Sequence, residues 1–405
     1  RRAGRWSRHH RRCAEALSDR LEGDLSGLRR RIADHWIEAD SPERALDPLV
    51  EEARIERRLG NFRRAGQLLD RHDELLEQLG LPEGDARRLH ARAQRAMILA
   101  VVGELEAGEE LAREVFELAD PEESAELRAF AAHRIGEICR REARDESARQ
   151  WLERAVDLGD RAASPDVESR AHESLAWYFF TRGRLASAAD HAERAFDLAG
   201  LLGSPYRRLR IRRIRALIRG EKGNRADAEA EHESIFRQAR KLGYQGLLTN
   251  AAKDLGDEAR FDGRYDRARE LYREHRELAE QLAARYPQLI ARANFALVEI
   301  QDRRFDRARE WLDSAAETLH VLGLETSEMR LLELAELTFL AGTGQWDRFD
   351  EAWSDYRSAH PADNQISQEY AMLLDQIAED ALADERPEAA RQTSERADQI
   401  RHQLG

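Results

Sequence analysis

A turn returns along this chain at a fixed interval, and that interval constrains the fold more than any other feature. Turn residues stand at Gly103, Ala143, Gly183, Gly223, Gly263, Arg303, Gly344 and Asp384, 40 residues apart at every step but one, which is 41. Five residues after each turn comes a small side chain (Gly108, Ala148, Ala188, Ala228, Ala268, Ala308 and Ala389), with Phe349 as the exception. The stretch from Ser164 to Gly203 shows the unit: a Ser-Pro helix start, an apolar-periodic run through Leu175-Ala176 and Phe179, a turn at Gly183, and a second run through Ala188, Ala192, Ala195 and Leu198. A period of this size marks a helical hairpin too small to bury its own apolar side, copied so that each copy covers the next.

Seven residues before each regular turn sits another small residue, usually after a large one: Ile135-Gly136, Leu175-Ala176, Leu255-Gly256 and Phe295-Ala296, with Arg95-Ala96 and Arg215-Ala216 keeping the small partner alone. Ala155, Ala195 and Ala315 then follow the turn by twelve. This pattern resembles the tetratricopeptide repeat (TPR), lengthened by about six residues over the usual 34 in the second helix or the loop after it. The resemblance implies an all-α fold, a right-handed alpha-alpha superhelix (TPR-like solenoid) of about 40-residue helical hairpins. Residues 84–342 carry the regular repeats, 24–83 read as atypical N-terminal helices of the array, and 343–405 as C-terminal repeats and cap. Residues 1–23 are basic and read as the end of a preceding domain, with Leu17 and Leu21 suggesting a short helix. Ser41-Pro42, Asp120-Pro121, Ser164-Pro165 and Ser204-Pro205 are read as helix openers, since a side-chain oxygen caps the first turn and proline at its start loses nothing.

A second resemblance lies near the start. His10-Arg11-Arg12, Ala14-Glu15-Ala16-Leu17 and Ile32-Ala33-Asp34-His35-Trp36-Ile37-Glu38-Ala39 are similar to the junction that follows the ATPase and winged-helix parts of STAND-class signalling ATPases. Bacterial serine/threonine kinases with a fused ATPase and repeat array look similar there. This implies that the chain is the arm of a larger bacterial signalling protein and that upstream domains of the same polypeptide are partners. His35 and Trp36 are read as packed side chains.

Composition narrows the function. The net charge of -13 argues against nucleic acid as the main partner, because phosphate contacts need a basic surface. Cys13 and Cys139 are far apart in sequence, which fits a reduced, cytoplasmic setting. No apolar run approaches a membrane span. No phosphate-binding glycine loop, kinase catalytic loop or serine elbow appears, and His172-Glu173 and His232-Glu233 lack the second histidine of a zinc helix. The reading therefore contains no catalytic residue, no metal ligand and no cofactor, and the chain is expected not to be an enzyme.

The TPR resemblance also implies where a partner binds. In that family the first helix of each hairpin lines the concave face, at positions six and three before the small residue and one, four and five after it. Transferred repeat by repeat, the groove candidates are His133, Arg140 and Arg141; Arg170, Trp177 and Phe180; Arg210 and Arg213; and Asn250, Lys253 and Arg260. Glu137, Glu173, Glu221, Asp257 and Gln301 fall on further groove positions. Asp257 and Glu137 depart from the family's carboxylate-clamp pattern. Residues 207–222 hold seven Arg and one Lys against a single acid, Glu221. Three readings of this basic stretch stand: a solvated face paired with acids on neighbouring second helices, a groove for an acidic peptide, a carboxylate or a phosphorylated segment held by Arg forks, or, last in order, a nucleic-acid contact. Trp177-Tyr178-Phe179-Phe180 is the densest aromatic run, with Phe179 assigned to the core by register. The expected function is a non-catalytic protein–protein or peptide-binding scaffold. The alternative is an inducer-sensing domain in which Trp177 stacks on a small ligand.

Overall fold

The computed structural model describes residues 2–20, 27–142, 144–282, 285–322, 327–360 and 367–404. Among these, twenty α-helices follow one another with no β-strand. In order they are α1 (Arg2–Ser18), α2 (Leu28–Glu38), α3 (Leu46–Arg58), α4 (Phe62–Gln78), α5 (Ala86–Val102), α6 (Leu105–Leu118), α7 (Ala125–Arg141), α8 (Asp145–Arg161), α9 (Pro165–Phe180) and α10 (Leu185–Leu201). The array continues with α11 (Pro205–Glu221), α12 (Arg225–Leu242), α13 (Gln245–Phe261), α14 (Tyr265–Gln281), α15 (Arg285–Gln301), α16 (Phe305–Leu322), α17 (Ser327–Gly342), α18 (Trp346–Ala359), α19 (Gln368–Ala383) and α20 (Pro387–Leu404). The protein is all-α and its repeats are TPR-like hairpins.

The periodic turns are left-handed. Gly103, Gly183, Gly223, Gly263 and Gly344 have φ between 66° and 100°, and Arg303 takes φ 57° without being glycine. The last turn differs from expectation: Glu385, not Asp384, carries the positive φ, and Ala143 lies outside the described residues. A second left-handed series, Ala163, Gly203 and Gly243, closes each hairpin on the next at the same period. Of the expected helix openers, Ser204 accepts from the Arg207 N–H and so caps α11. Ser164 precedes α9 but donates its hydroxyl to Glu126 at 2.6 Å. Asp120 opens a turn instead of a helix, accepting from the Glu122 and Glu123 N–H groups at 2.8 Å, and α7 begins at Ala125.

The described chain forms two compact units. The first comprises Arg1–Ile138, Gln150–Val167 and Gly243–Gly246. Its N-terminal helix is longer than the short one suggested by Leu17 and Leu21, and Leu21 lies outside the described residues. α1 lies on α2, where Trp6 Nε1 donates to Glu38 at 2.9 Å and His10 Nδ1 meets His35 Nδ1 at 2.9 Å. Trp36 is buried in a core with Ile32, Leu49 and Leu69, and Arg44 stacks on its ring at 4.6 Å.

The second unit comprises Cys139–Arg149, Glu168–Leu242 and Leu247–Gly405. Its first and second helices interlock through the small residues. A Cβ on Gly256 would lie 2.4 Å from the Tyr272 ring, so only glycine lets α13 and α14 approach this closely. Toward the C-terminus, the aromatic helix α18 buries Trp346, Phe349, Trp353 and Tyr356 in a core shared with Leu373, Leu374 and Ile377 of α19 and Ile400 of α20.

Candidate binding groove

Within the second unit, one set of polar contacts joins α9 to α11 and another joins α11 to α13, and together they pass through most of the transferred groove positions. Glu173, 2% exposed, accepts from Arg207 Nη1 and from Arg210 Nε, both at 2.8 Å. Arg207 also donates to Ser169 Oγ at 3.2 Å. One turn on, the Arg213 guanidinium lies 5.0 Å from the centroid of the Trp177 ring and donates to both carboxylate oxygens of Asp254. Trp177 meets Phe180 edge-on at 5.8 Å. Both rings are half-buried, while Tyr178 and Phe179 are buried, as the register of Phe179 requires.

α13 supplies alternating charge. Lys253 pairs with Asp257 and lies 3.6 Å from Asp254. Asp257 accepts from Tyr272 Oη at 2.8 Å, and that oxygen in turn accepts from Arg260 Nε at 3.1 Å. Arg260 Nη1 donates to Gln301 Oε1 of α15 at 3.0 Å, and Nη2 donates to Glu369 at the start of α19. Burial opposes the charge on Arg260, yet Tyr272, Glu369 and Asp257 hold it above the ordinary guanidinium value. Burial would likewise raise the Asp254 carboxyl; Arg213 and Lys253 overcome it and hold the acid well below the usual range. Fully satisfied, such a network fixes each side chain in place; an unpaired member would be costly.

The transferred candidates therefore divide. Trp177, Phe180, Arg210, Arg213 and Lys253 are half-buried on α9, α11 and α13, Arg260 is buried beneath the start of α19, and Asn250 is half-buried one turn before Lys253 on the same helix. Arg170 is buried on α9. Arg140 and Arg141 are half-buried at the end of α7, and Arg140 acts on the charge of Arg182, which also pairs with Asp145. His133 is buried and belongs to the first unit.

The other arginine face of α11 is turned to the second helices. Arg212 pairs with Glu231 and Ser234 of α12, Arg215 pairs with Glu193 of α10 at 2.8 Å, and Arg208 and Arg215 lie against Phe196. The acids that neutralise α11 thus come from both neighbouring hairpins. Asp254, Tyr272 and Glu369 escaped the sequence reading. Asp254 stands two residues before the small position, outside the transferred pattern, although its spacing of 41 from Arg213, one repeat on, offered a signal. Among α12, α13 and α14 lies a hollow of about 260 Å³ lined by Phe236, Leu255, Leu271 and charged residues.

No family profile and no curated protein sequence matches this chain. Several solved structures share its fold. One is a Rap protein complexed with competence and sporulation factor, at TM-score 0.68 and 16% identity over 90% of this chain and 99% of that one. Another is NprR in complex with its cognate peptide NprX, at TM-score 0.60 and 15% identity over 88% and 99%. A third is a STAND protein with a tetratricopeptide repeat sensor from Pyrococcus horikoshii, at TM-score 0.53 and 12% identity over 87% of this chain and 52% of that one. The fold is thus that of a TPR-like helical array, similar to Rap and NprR proteins and to a STAND sensor. Among the described residues no helix is long and apolar enough to cross a membrane.

Proposed function

We propose that this chain is a non-catalytic regulatory array that binds a protein or peptide segment in the groove of its second unit. The observation that carries the reading is the surface at Trp177, Phe180, Arg210 and Arg213. Two half-buried aromatic rings stand beside guanidinium groups that fixed acids hold in position. Such a surface offers apolar stacking and directed donors together, which suits an extended peptide. Two structures of similar fold hold peptide or factor ligands, which supports the reading by analogy of fold. On this reading the array is the cytoplasmic arm of a larger bacterial signalling protein, an ATPase or a serine/threonine kinase, and transmits occupancy of the groove to the upstream domains.

The test is an array of immobilised decapeptides probed with the labelled full chain. Trp177→Ala is expected to lower binding at least tenfold while helicity by circular dichroism is unchanged. Retention of full binding by that variant rules out the groove as the site. A thermal shift with a metabolite, lost in Trp177→Ala and accompanied by no peptide binding, would favour the inducer-sensing alternative.

A further inference from the structure

In a solenoid each hairpin ordinarily touches only its neighbours. The second unit breaks that rule along α19, whose Asp380 also pairs with Arg303 two hairpins back. The first turn of α19 reaches back three and four hairpins, to α13 and α11. The Gln368 N–H donates to Glu221 Oε2 at 3.0 Å, and Gln368 Nε2 donates to the Glu221 carbonyl at 3.3 Å, 147 residues away. Glu369 accepts from Arg260, 109 residues away. Glu221, Arg260 and Gln301 are all groove positions by the repeat register, so this turn occupies the groove at the C-terminal ends of α11 and α13.

We propose that the first turn of α19 is a displaceable clasp, and that an acidic side chain of a bound peptide opens it by taking the place of Glu369 on Arg260. The Arg260 site is built for a carboxylate. The guanidinium is 1% exposed, its Nε and Nη1 are fixed by Tyr272 and Gln301, and the remaining arm points at the acid. Glu369 differs from its partner in remaining accessible: its side chain is 20% exposed, against 0% for Arg260. Opening is confined to Gln368 and Glu369, because Tyr370 and Ala371 behind them are buried in the core. Leu373, Leu374, Ile377 and Ala381 anchor the rest of α19, and the first N–H groups of a helix have no intrahelical acceptor to lose. Glu221 and Glu369 also repel one another within the clasp, which lowers the cost of opening. The closed clasp is thus a self-occupied form of the groove, and binding competes with it.

This inference rests on the groove reading above, and the experiment separates the two. Hydrogen–deuterium exchange on the full chain compares wild type with Glu369→Gln, which keeps the size and removes the charge. The expected result is at least tenfold faster exchange at Gln368 and Glu369, with the amides of Leu373 to Ala381 unchanged. Equal rates in the two proteins overturn the clasp. The same two proteins are then applied to immobilised decapeptides, each present with Glu and with Gln at its acidic positions. Glu369→Gln is expected to bind the Glu forms at least tenfold more tightly than wild type does, with no gain for the Gln forms. Peptide binding that is equal for both proteins overturns competition at Arg260 and leaves the groove standing. Faster exchange with no peptide bound by either protein overturns the groove reading and the ligand named here with it. Arg260→Lys serves as a second variant. It keeps the charge but loses the fork, and is expected to abolish the Glu-over-Gln preference.

Discussion

Glu221 is the most informative single residue, because its charge and its position pull against each other. Burial pushes its carboxyl up to about 7, opposed in part by the Gln368 N–H and reinforced by Glu369. Between the ordinary 4.5 and about 7 the folded chain holds a proton that the unfolded chain has released. The stabilisation is therefore full below that window and is lost as pH rises through it. Glu258, raised to about 7 mainly by burial, acts in the same sense. Glu221→Gln keeps an acceptor for Gln368 and removes the titration. It is expected to raise stability at pH 8 by about 2 kcal/mol and to change it little at pH 4. Urea unfolding at the two pH values checks this; a loss at pH 8 contradicts it. His172 works in the opposite direction. Burial, His191 and Arg194 bring it down to about 4, so its contribution is lost as pH falls from 6.5 through that value. None of this was legible in the sequence. Glu221 appeared there as the lone acid of a basic helix, and its burial depends on a turn of chain 147 residues away.

Among the elements, the α13–α14 pair shows how a small-residue rule becomes a packing requirement. The periodic large-small pairs put a small residue at Gly256, and the Tyr272 ring fills the space where its Cβ would stand. Gly256→Ala improves helix propensity by up to about 1 kcal/mol but displaces Tyr272, which also bridges Asp257 and Arg260; the net expected loss is about 1–2 kcal/mol. Gly246→Ala on the same helix meets no atom within 4 Å and serves as the control, expected to be neutral or stabilising. Thermal unfolding of both variants checks the pair. Helix α11 carries the other lesson. Its arginines read as either solvated or ligand-binding, and the structure gives most of them acidic or aromatic partners on four neighbouring helices. Arg213→Met would strip the buried Asp254 of its fork, for an expected loss of about 3 kcal/mol. The same measurement tests it against Arg219→Met, a half-buried position on the same helix.

At the scale of the whole molecule, charge is the readable quantity. A chain of net charge -13 whose most basic helix is neutralised by Glu173, Glu193, Glu231 and Asp254 offers few free cations to a phosphate backbone. Duplex DNA at physiological salt is expected to give no mobility shift; a salt-dependent shift that disappears when residues 207–222 are neutralised would contradict this. The 40-residue advance recurs in the turns from Gly183 to Arg303 and again in the left-handed series at Ala163, Gly203 and Gly243.

The hairpin, its length and its repetition were legible in the order of residues alone. Those depend on contacts within one period, where turn residues and small side chains recur at fixed offsets. Register, which transfers from one repeat to the next, also supplied the groove positions on which the proposed function rests. Which charges meet depends on the folded chain. Arg213 finds Asp254 in the next hairpin, and Arg260 finds Glu369 three hairpins on. A periodic pattern records what each copy shares with the others. It carries no record of a contact made once, between side chains that the advance of the array brings together across the groove.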